Sequence, residues 1–388
     1  MRVWLAGFGA VFAVLLSASP AWAHGADAPD GTDYRTVVTS VSPATAGLRV
    51  RAVEAGARLE LTNHTGTTVE VLGYENEPYL EVRPDGVYEN VHSPAVYLNA
   101  TLTGSATLPP GTDPTLPPTW RKASSVPVVR WHDHRSHWML STPPPAVAAD
   151  PGRPQRVRDW VVPLRTGGVT ALEVRGTLDW VPPPSGGVWW AWSIVGAVAV
   201  AALGLVGRLR RLAGSLSVRT APVSGVVRSP NWVLPVLAGV SVVGGVAAVV
   251  YAVGREVDAG NDGFGALVNG LFAGQIWPVL TGLAAVAAAV YALFRRPAAD
   301  FALALAGVCV AIFAGASNAA AFTNGVVPVP WSFGRVLIAV VIAAGAGVAA
   351  ASALRMRATA GRPPVPAARR PAESADEPSG SPAVESGA

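Results

Sequence analysis

Residues 182–207 read PPPSGGVWWAWSIVGAVAVAALGLVG, and this stretch divides the chain. The prolines and glycines form a joint, because proline cannot donate to a strand ladder and glycine frees the backbone. Beyond the joint comes an uncharged apolar run of about 20 residues, the length a helix needs to cross a bilayer. Four more such runs follow. Membrane helices are therefore predicted at about 188–207, 232–253, 275–294, 301–321 and 334–354. A further apolar stretch, 264–274, makes the third segment too long for one upright helix. It reads as a tilted extension or a short interfacial helix. The composition agrees: 51% of the 388 residues are hydrophobic and only 14% are charged, where a soluble domain carries roughly 25% charged residues.

Before the joint the chain is polar. Residues 24–187 hold seventeen acids and fourteen bases. Short runs at 34–41, 48–53, 58–62, 68–72, 126–132, 157–162 and 169–178 alternate apolar and polar residues, the period of strands with one buried face. Pro43, Gly56, Asn63, Gly66, Asp85-Gly86 and Pro109-Pro110-Gly111 separate them. No helix-period stretch of useful length interrupts the series, and 108–118 and 143–154 are proline-rich loops. Segment 73–90 gathers Glu75, Glu77, Glu81, Asp85 and Glu89 with tyrosines. Carboxylates suit calcium, but EF-hand spacing is lacking, so the segment reads as a plain hairpin. The expected fold is an all-β sandwich, immunoglobulin-like or cupredoxin-like, followed by a membrane domain of about five transmembrane helices.

Residues 1–23 read as a secretory signal: Arg2, an apolar core at 3–16, and Ala21-Trp22-Ala23 with small residues at the cleavage positions. Cleavage there makes His24 the mature amino terminus, offering an imidazole and a free amine together. Arginines set the orientation. Arg208, Arg210, Arg211, Arg219 and Arg228 follow the first helix without an acid, Arg295-Arg296 mark a later turn, and the tail opens with Arg355, Arg357 and Arg362. The sequence thus predicts an extracytoplasmic domain at 24–187, membrane helices across 188–354 and a disordered cytoplasmic tail at 355–388. The setting is the cytoplasmic membrane, with the bilayer as first partner.

All six histidines precede the membrane part: His24, His64, His92, His132, His134 and His137. His64 and His92 read as surface residues. The segment Arg130-Trp131-His132-Asp133-His134-Arg135-Ser136-His137-Trp138-Met139 is denser. On a strand, His132 and His134 share a face, and two imidazoles at that spacing suit copper, zinc, iron or nickel. An added terminal amine favours tetragonal Cu(II). The alternative is a solvated strand end with Trp131 and Trp138 packed inward. The candidate metal ligands are His24, His132, His134 and His137, with Asp133 and Met139 as adjuncts. The lone Cys309 excludes a disulfide framework and a cysteine-based cluster.

With His24-Gly25 at the mature start and His132-Asp133-His134 later, the chain resembles extracytoplasmic copper proteins with a histidine brace. The outline is similar to the amino-terminal cupredoxin domain of the B subunit of particulate methane and ammonia monooxygenases. It also resembles periplasmic copper-resistance carriers, although here Asp133 and His134 are adjacent where that family has a residue between. The resemblance implies copper as cofactor or cargo and a protein copper donor or recipient. With one external β domain in place of that subunit's two, it does not imply monooxygenase activity.

No nucleophile elbow, phosphate loop, zinc-protease helix or kinase signature is present, so no catalytic residue is assigned. The charge of +4 gives no reason to expect nucleic acid. The helices offer Asn269, Gln275, Ser317 and Asn318 but no histidine, acid–base pair or methionine cluster, which argues against active transport. The expected function is membrane-anchored copper capture, buffering or delivery. The rival is an envelope interaction module whose sandwich binds no metal.

Overall fold

The computed structural model describes residues 29–167, 170–206, 209 and 232–360. The signal segment, His24, the arginine-bearing loop after the first apolar helix and the tail from 361 lie outside the described residues.

Among the described residues ten strands form two sheets. Seven of them, β1 (Tyr34–Ser42), β4 (Val69–Leu72), β5 (Pro78–Arg83), β6 (Gly86–Asn90), β7 (Trp120–Ser124), β9 (Gln155–Thr166) and β10 (Thr170–Trp180), assemble in the order β1-β10-β9-β4-β5-β6-β7. The other three, β2 (Leu48–Val53), β3 (Arg58–Asn63) and β8 (Val128–Trp131), form a sheet in the order β2-β3-β8. Every pairing is antiparallel. Alternation makes the core: Leu172, Val174 and Leu178 of β10 face inward with Val162 and Leu164 of β9, and Leu59, Leu61 and Trp131 approach from the smaller sheet. A register slip of one residue would turn these side chains outward, so the pattern pins the pairing. Two one-turn helices, α1 (Pro94–Leu98) and α2 (Pro145–Ala149), interrupt the strand series. Each starts on a proline, whose missing N–H costs nothing at a helix start. The stretch read as a plain hairpin, 73–90, contains β5 and β6, joined across Arg83 and Gly86.

Among the described residues five helices are long and apolar enough to cross a membrane. They are α3 (Gly186–Ala202, prolonged to Leu205), α4 (Val233–Asp258), α6 (Ile276–Leu293), α7 (Ala299–Val310, prolonged to Phe322) and α8 (Gly334–Ala360). The short stretch is a separate helix, α5 (Phe264–Gly274), with no buried residue. Helix α7 loosens into a π turn at Ala311–Gly315 and tightens into 3-10 geometry over Ala316–Phe322. Small residues let the helices touch. A Cβ on Gly345 would stand 2.8 Å from the Gly307 carbonyl of α7, and one on Gly245 would stand 2.5 Å from the Gly282 carbonyl of α6. Such close approach is how membrane helices associate without a hydrophobic drive between them. Polar contacts also join helices: Asn318, one of the polar residues singled out in the sequence, accepts at Oδ1 from Arg255 Nη1 at 2.9 Å, and Ser241, which was not, donates from Oγ to Ala285 O at 2.9 Å.

The β domain sits on one end of the bundle. Arg51 and Arg130 donate to Gly260 O at 3.0 and 2.8 Å, and Ala55 N–H donates to Asp258 Oδ2 at 2.7 Å. Thr32 pairs with Val326, and Gly325 N–H donates to Asp33 Oδ1 at 2.7 Å. Helix α4 therefore runs one turn further than its hydropathy suggests. Arg255 and Glu256, read as loop residues, are buried in it because Asp30, Asn318 and Asn261 satisfy them.

Candidate metal centre

Strand β8 ends at Trp131, one residue short of the sequence expectation. The segment 132–137 is a tight turn, so His132 and His134 do not occupy alternate positions of a strand. The reason lies in Asp133. Its carboxylate is fully buried and accepts four hydrogen bonds: from Trp131 Nε1 (2.9 Å), Arg135 Nη2 (2.8 Å), Arg135 Nε (2.8 Å) and Arg135 N–H (3.1 Å). Ser136 closes the turn through its N–H and its hydroxyl, both to Asp133 O at 2.8 Å. Arg135 also donates to Leu72 O and Gly73 O, which ties the turn to the end of β4. These donors hold the Asp133 carboxyl below the ordinary carboxylate range despite burial, the arginine being the chief of them. A carboxylate has about four lone-pair sites. All are taken, so Asp133 braces the turn and has no oxygen left for an ion.

The turn brings three histidines together. His137 is the ring common to both contacts, edge-on to His134 at 5.1 Å between centroids and to His132 at 6.3 Å. Their hydrogen bonds fix the tautomers. His137 Nε2 lies 2.8 Å from Leu102 O, and His134 Nε2 lies 3.3 Å from Thr101 O. A carbonyl only accepts, so both Nε2 atoms carry the proton and both Nδ1 atoms present lone pairs. His137 Nδ1 is buried without a hydrogen-bond partner. Metal-bound histidines characteristically donate their second ring nitrogen to a backbone carbonyl or carboxylate, as these two do. His132 differs. Its Nδ1 sits 2.8 Å from Ala57 O and its Nε2 accepts from Arg58 Nε at 3.1 Å, so both nitrogens are engaged within the protein.

Burial lowers the pKa of His134 and of His137, which keeps both rings neutral and able to ligate. Tyr74 sets the first ring: it stacks on His134 at 5.9 Å, accepts from His134 N–H at 3.0 Å and donates to Asn99 Oδ1. Arg158 donates to the carbonyls of His134 and His137. Met139 is partly exposed at the rim. Gly104 makes room for both neighbours: a Cβ there would lie 2.5 Å from His134 Cε1 and 3.1 Å from Met139 Cε. Gly104 and Tyr74 carry no sequence signal of their own, since a turn glycine and a tyrosine in a hairpin look ordinary. His64 is exposed, and His92 bonds Pro117 O at 2.9 Å without a ring contact to the cluster.

Among the described residues no group of three or more His, Cys, Asp or Glu side chains is placed to hold a metal ion. The arrangement that does occur is a pair, His134 and His137, with a thioether beside it. No family model matches the chain, nor does a curated relative or a solved structure.

Proposed function

We propose that this is a membrane-anchored copper-binding protein that captures, buffers or delivers copper on the extracytoplasmic side. Nδ1 of His134 and Nδ1 of His137 hold the ion, Met139 supplies a thioether from the rim, and His24 completes the set as the mature amino terminus. Two imidazoles with a thioether suit Cu(I), and the terminal amine extends the set towards Cu(II). His132, bound to Ala57 and Arg58, packs beneath His137 as support, and Asp133 fixes the turn.

One observation carries the reading. A buried imidazole nitrogen without a partner is costly, by about 1–3 kcal/mol, and His137 Nδ1 is such an atom. A turn that served only to close the sandwich would leave that cost unexplained, whereas a metal ion removes it. The shared geometry of the pair, with each distal N–H on a consecutive carbonyl (Thr101, Leu102), supports the same conclusion.

Copper competition on the purified full chain tests it. His134→Ala and His137→Ala are each expected to weaken binding by at least about tenfold, the scale of losing 1.4 kcal/mol or more. His64→Ala is expected to change nothing. Equal binding by all four proteins would overturn the reading.

The pH dependence has a definite sign. The folded pKa values of His134 and His137 lie below the unfolded value of about 6.5. Between those values the unfolded chain binds more protons. The contribution to stability is therefore whole above pH of about 6.5 and is lost as pH falls towards the folded values. Copper binding is expected to persist through pH of about 6.5, where a free imidazole is half protonated, and to fail below it. Titration of affinity against pH checks this, and a midpoint at or above that value contradicts it.

A further inference from the structure

The seam between the two domains holds a half-open cavity of about 300 Å³. The turn at Glu54–Gly56 and Arg130 of β8 line it from the β domain, and the end of α4 with α5 lines it from the bundle. Its charges do not balance. Glu54, Glu256 and Asp258 face Arg130 and Arg255. Both arginines are already bound to acids outside the lining, Arg130 to Glu60 at 2.7 Å and Arg255 to Asp30 at 2.7 Å, while from outside it Arg58 pairs with Glu54. Of the acids, Glu54 is nine-tenths buried. Its Oε1 accepts from Arg58 Nη1 at 3.1 Å, but its Oε2 has no hydrogen-bond partner. Glu256 accepts from Asn261 Nδ2 at 2.6 Å, and Asp258 accepts from Ala55 N–H. Burial pushes the Glu54 carboxyl above the ordinary range, against the opposing pull of Arg58 and Arg130 and with a smaller push from Glu256. The turn itself is strained, since Glu54 and Ala55 hold left-handed backbone (φ 56° and 55°) that side-chain-bearing residues seldom adopt.

We infer that this cavity binds a small primary-ammonium compound, whose charged head donates its hydrogen bonds to Glu54 Oε2 and Glu256. The class follows from the lining. The excess charge is negative and an oxygen lacks a donor, so the ligand brings a positive charge and N–H groups. The volume matches the lower end of small-molecule pockets rather than a bare ion, and no acidic trio is placed for a metal among the described residues. Among the described residues no aromatic side chain lines the space, which removes from them the cation–π cage that quaternary ammonium groups use. Ala266 and Ala273 of α5 leave room for a short aliphatic body. Such an ammonium comes either from a free amine or from an aminophospholipid headgroup, because α5 exposes Phe264 and Phe272 beside the cavity. The inference stands apart from the copper reading and uses none of the histidines.

The test titrates ethanolamine into the full chain held in phosphatidylcholine nanodiscs, by calorimetry. Saturable binding is expected. It should weaken at least about tenfold in Glu54→Gln/Glu256→Gln, as expected for losing charge-assisted bonds. It should weaken at least as much in Ala273→Leu, which fills the space from an exposed position and leaves the acids untouched. Tetramethylammonium is expected to bind at least about tenfold less well than ethanolamine. Discs containing phosphatidylethanolamine separate the sources: a headgroup ligand suppresses ethanolamine binding there, and a free-amine site binds equally in both lipids. No saturable binding in phosphatidylcholine discs, unchanged affinity in the filling variant, or preference for tetramethylammonium would overturn the inference.

Discussion

Asp133→Ala is expected to destabilise the β domain by about 3–5 kcal/mol, the cost of breaking a buried ion pair from one side. Four donors lose their acceptor at once, and the Arg135 guanidinium, mostly buried against Tyr74, is left without its counter-charge. The sign with pH follows. The folded pKa of Asp133 lies below its unfolded value of about 3.9. Its contribution is thus present at neutral pH and lost only as pH falls through the folded value. Asp133→Asn should lie between alanine and the parent, because an amide oxygen still accepts but carries no charge. Hydrogen exchange of the amides in β3 and β8, measured in the full chain, reads the effect where the turn joins the sheet. Unchanged protection in Asp133→Ala would show that the turn is held by something else.

Gly104→Ala is the second large effect, on function with a smaller one on stability. Gly104 has φ 67° and lies against the edge of the His134 ring. A methyl group there is strained by its backbone and collides with His134 Cε1 at 2.5 Å. The ring must turn, which breaks its hydrogen bond to Thr101 O and displaces Nδ1, itself only 3.0 Å from the added Cβ. Copper affinity is expected to fall about 10–100-fold, the range seen when a group that orients a metal ligand is lost. No ligand is removed, so the variant separates positioning from ligation. A competition titration checks it, and full affinity in Gly104→Ala would mean that His134 is not a ligand.

The chain disclosed its architecture readily. Uninterrupted apolar runs of membrane length, and two-residue alternation such as that of β9 and β10, each permit one reading. The boundary errors have physical causes. Arg255 and Glu256 ended the second helix in the sequence because charge rarely enters a membrane span. They are tolerated because the β domain covers that end and supplies Asp30. The interdomain cavity was illegible for the same reason, since it depends on residues 54 and 256 meeting across the chain. The histidine cluster was half legible. Its density in 132–137 drew attention, but spacing on a strand suggested His132 with His134. The turn built by Asp133 instead sets His137 against His134. The tautomers, which separate free nitrogens from engaged ones, rest on the carbonyls of Ala57, Thr101 and Leu102. Backbone carbonyls leave no mark in a sequence.

Nitrogen-15 NMR of the histidine side chains, with and without Cu(I), tests the claim most directly, because it reports each ring nitrogen separately. Nδ1 of His134 and of His137 are expected to shift on metal addition while their Nε2 atoms stay protonated, and both nitrogens of His132 are expected to be unmoved. Metal-dependent shifts at His132 in place of His137, or none at any of these rings, would contradict it.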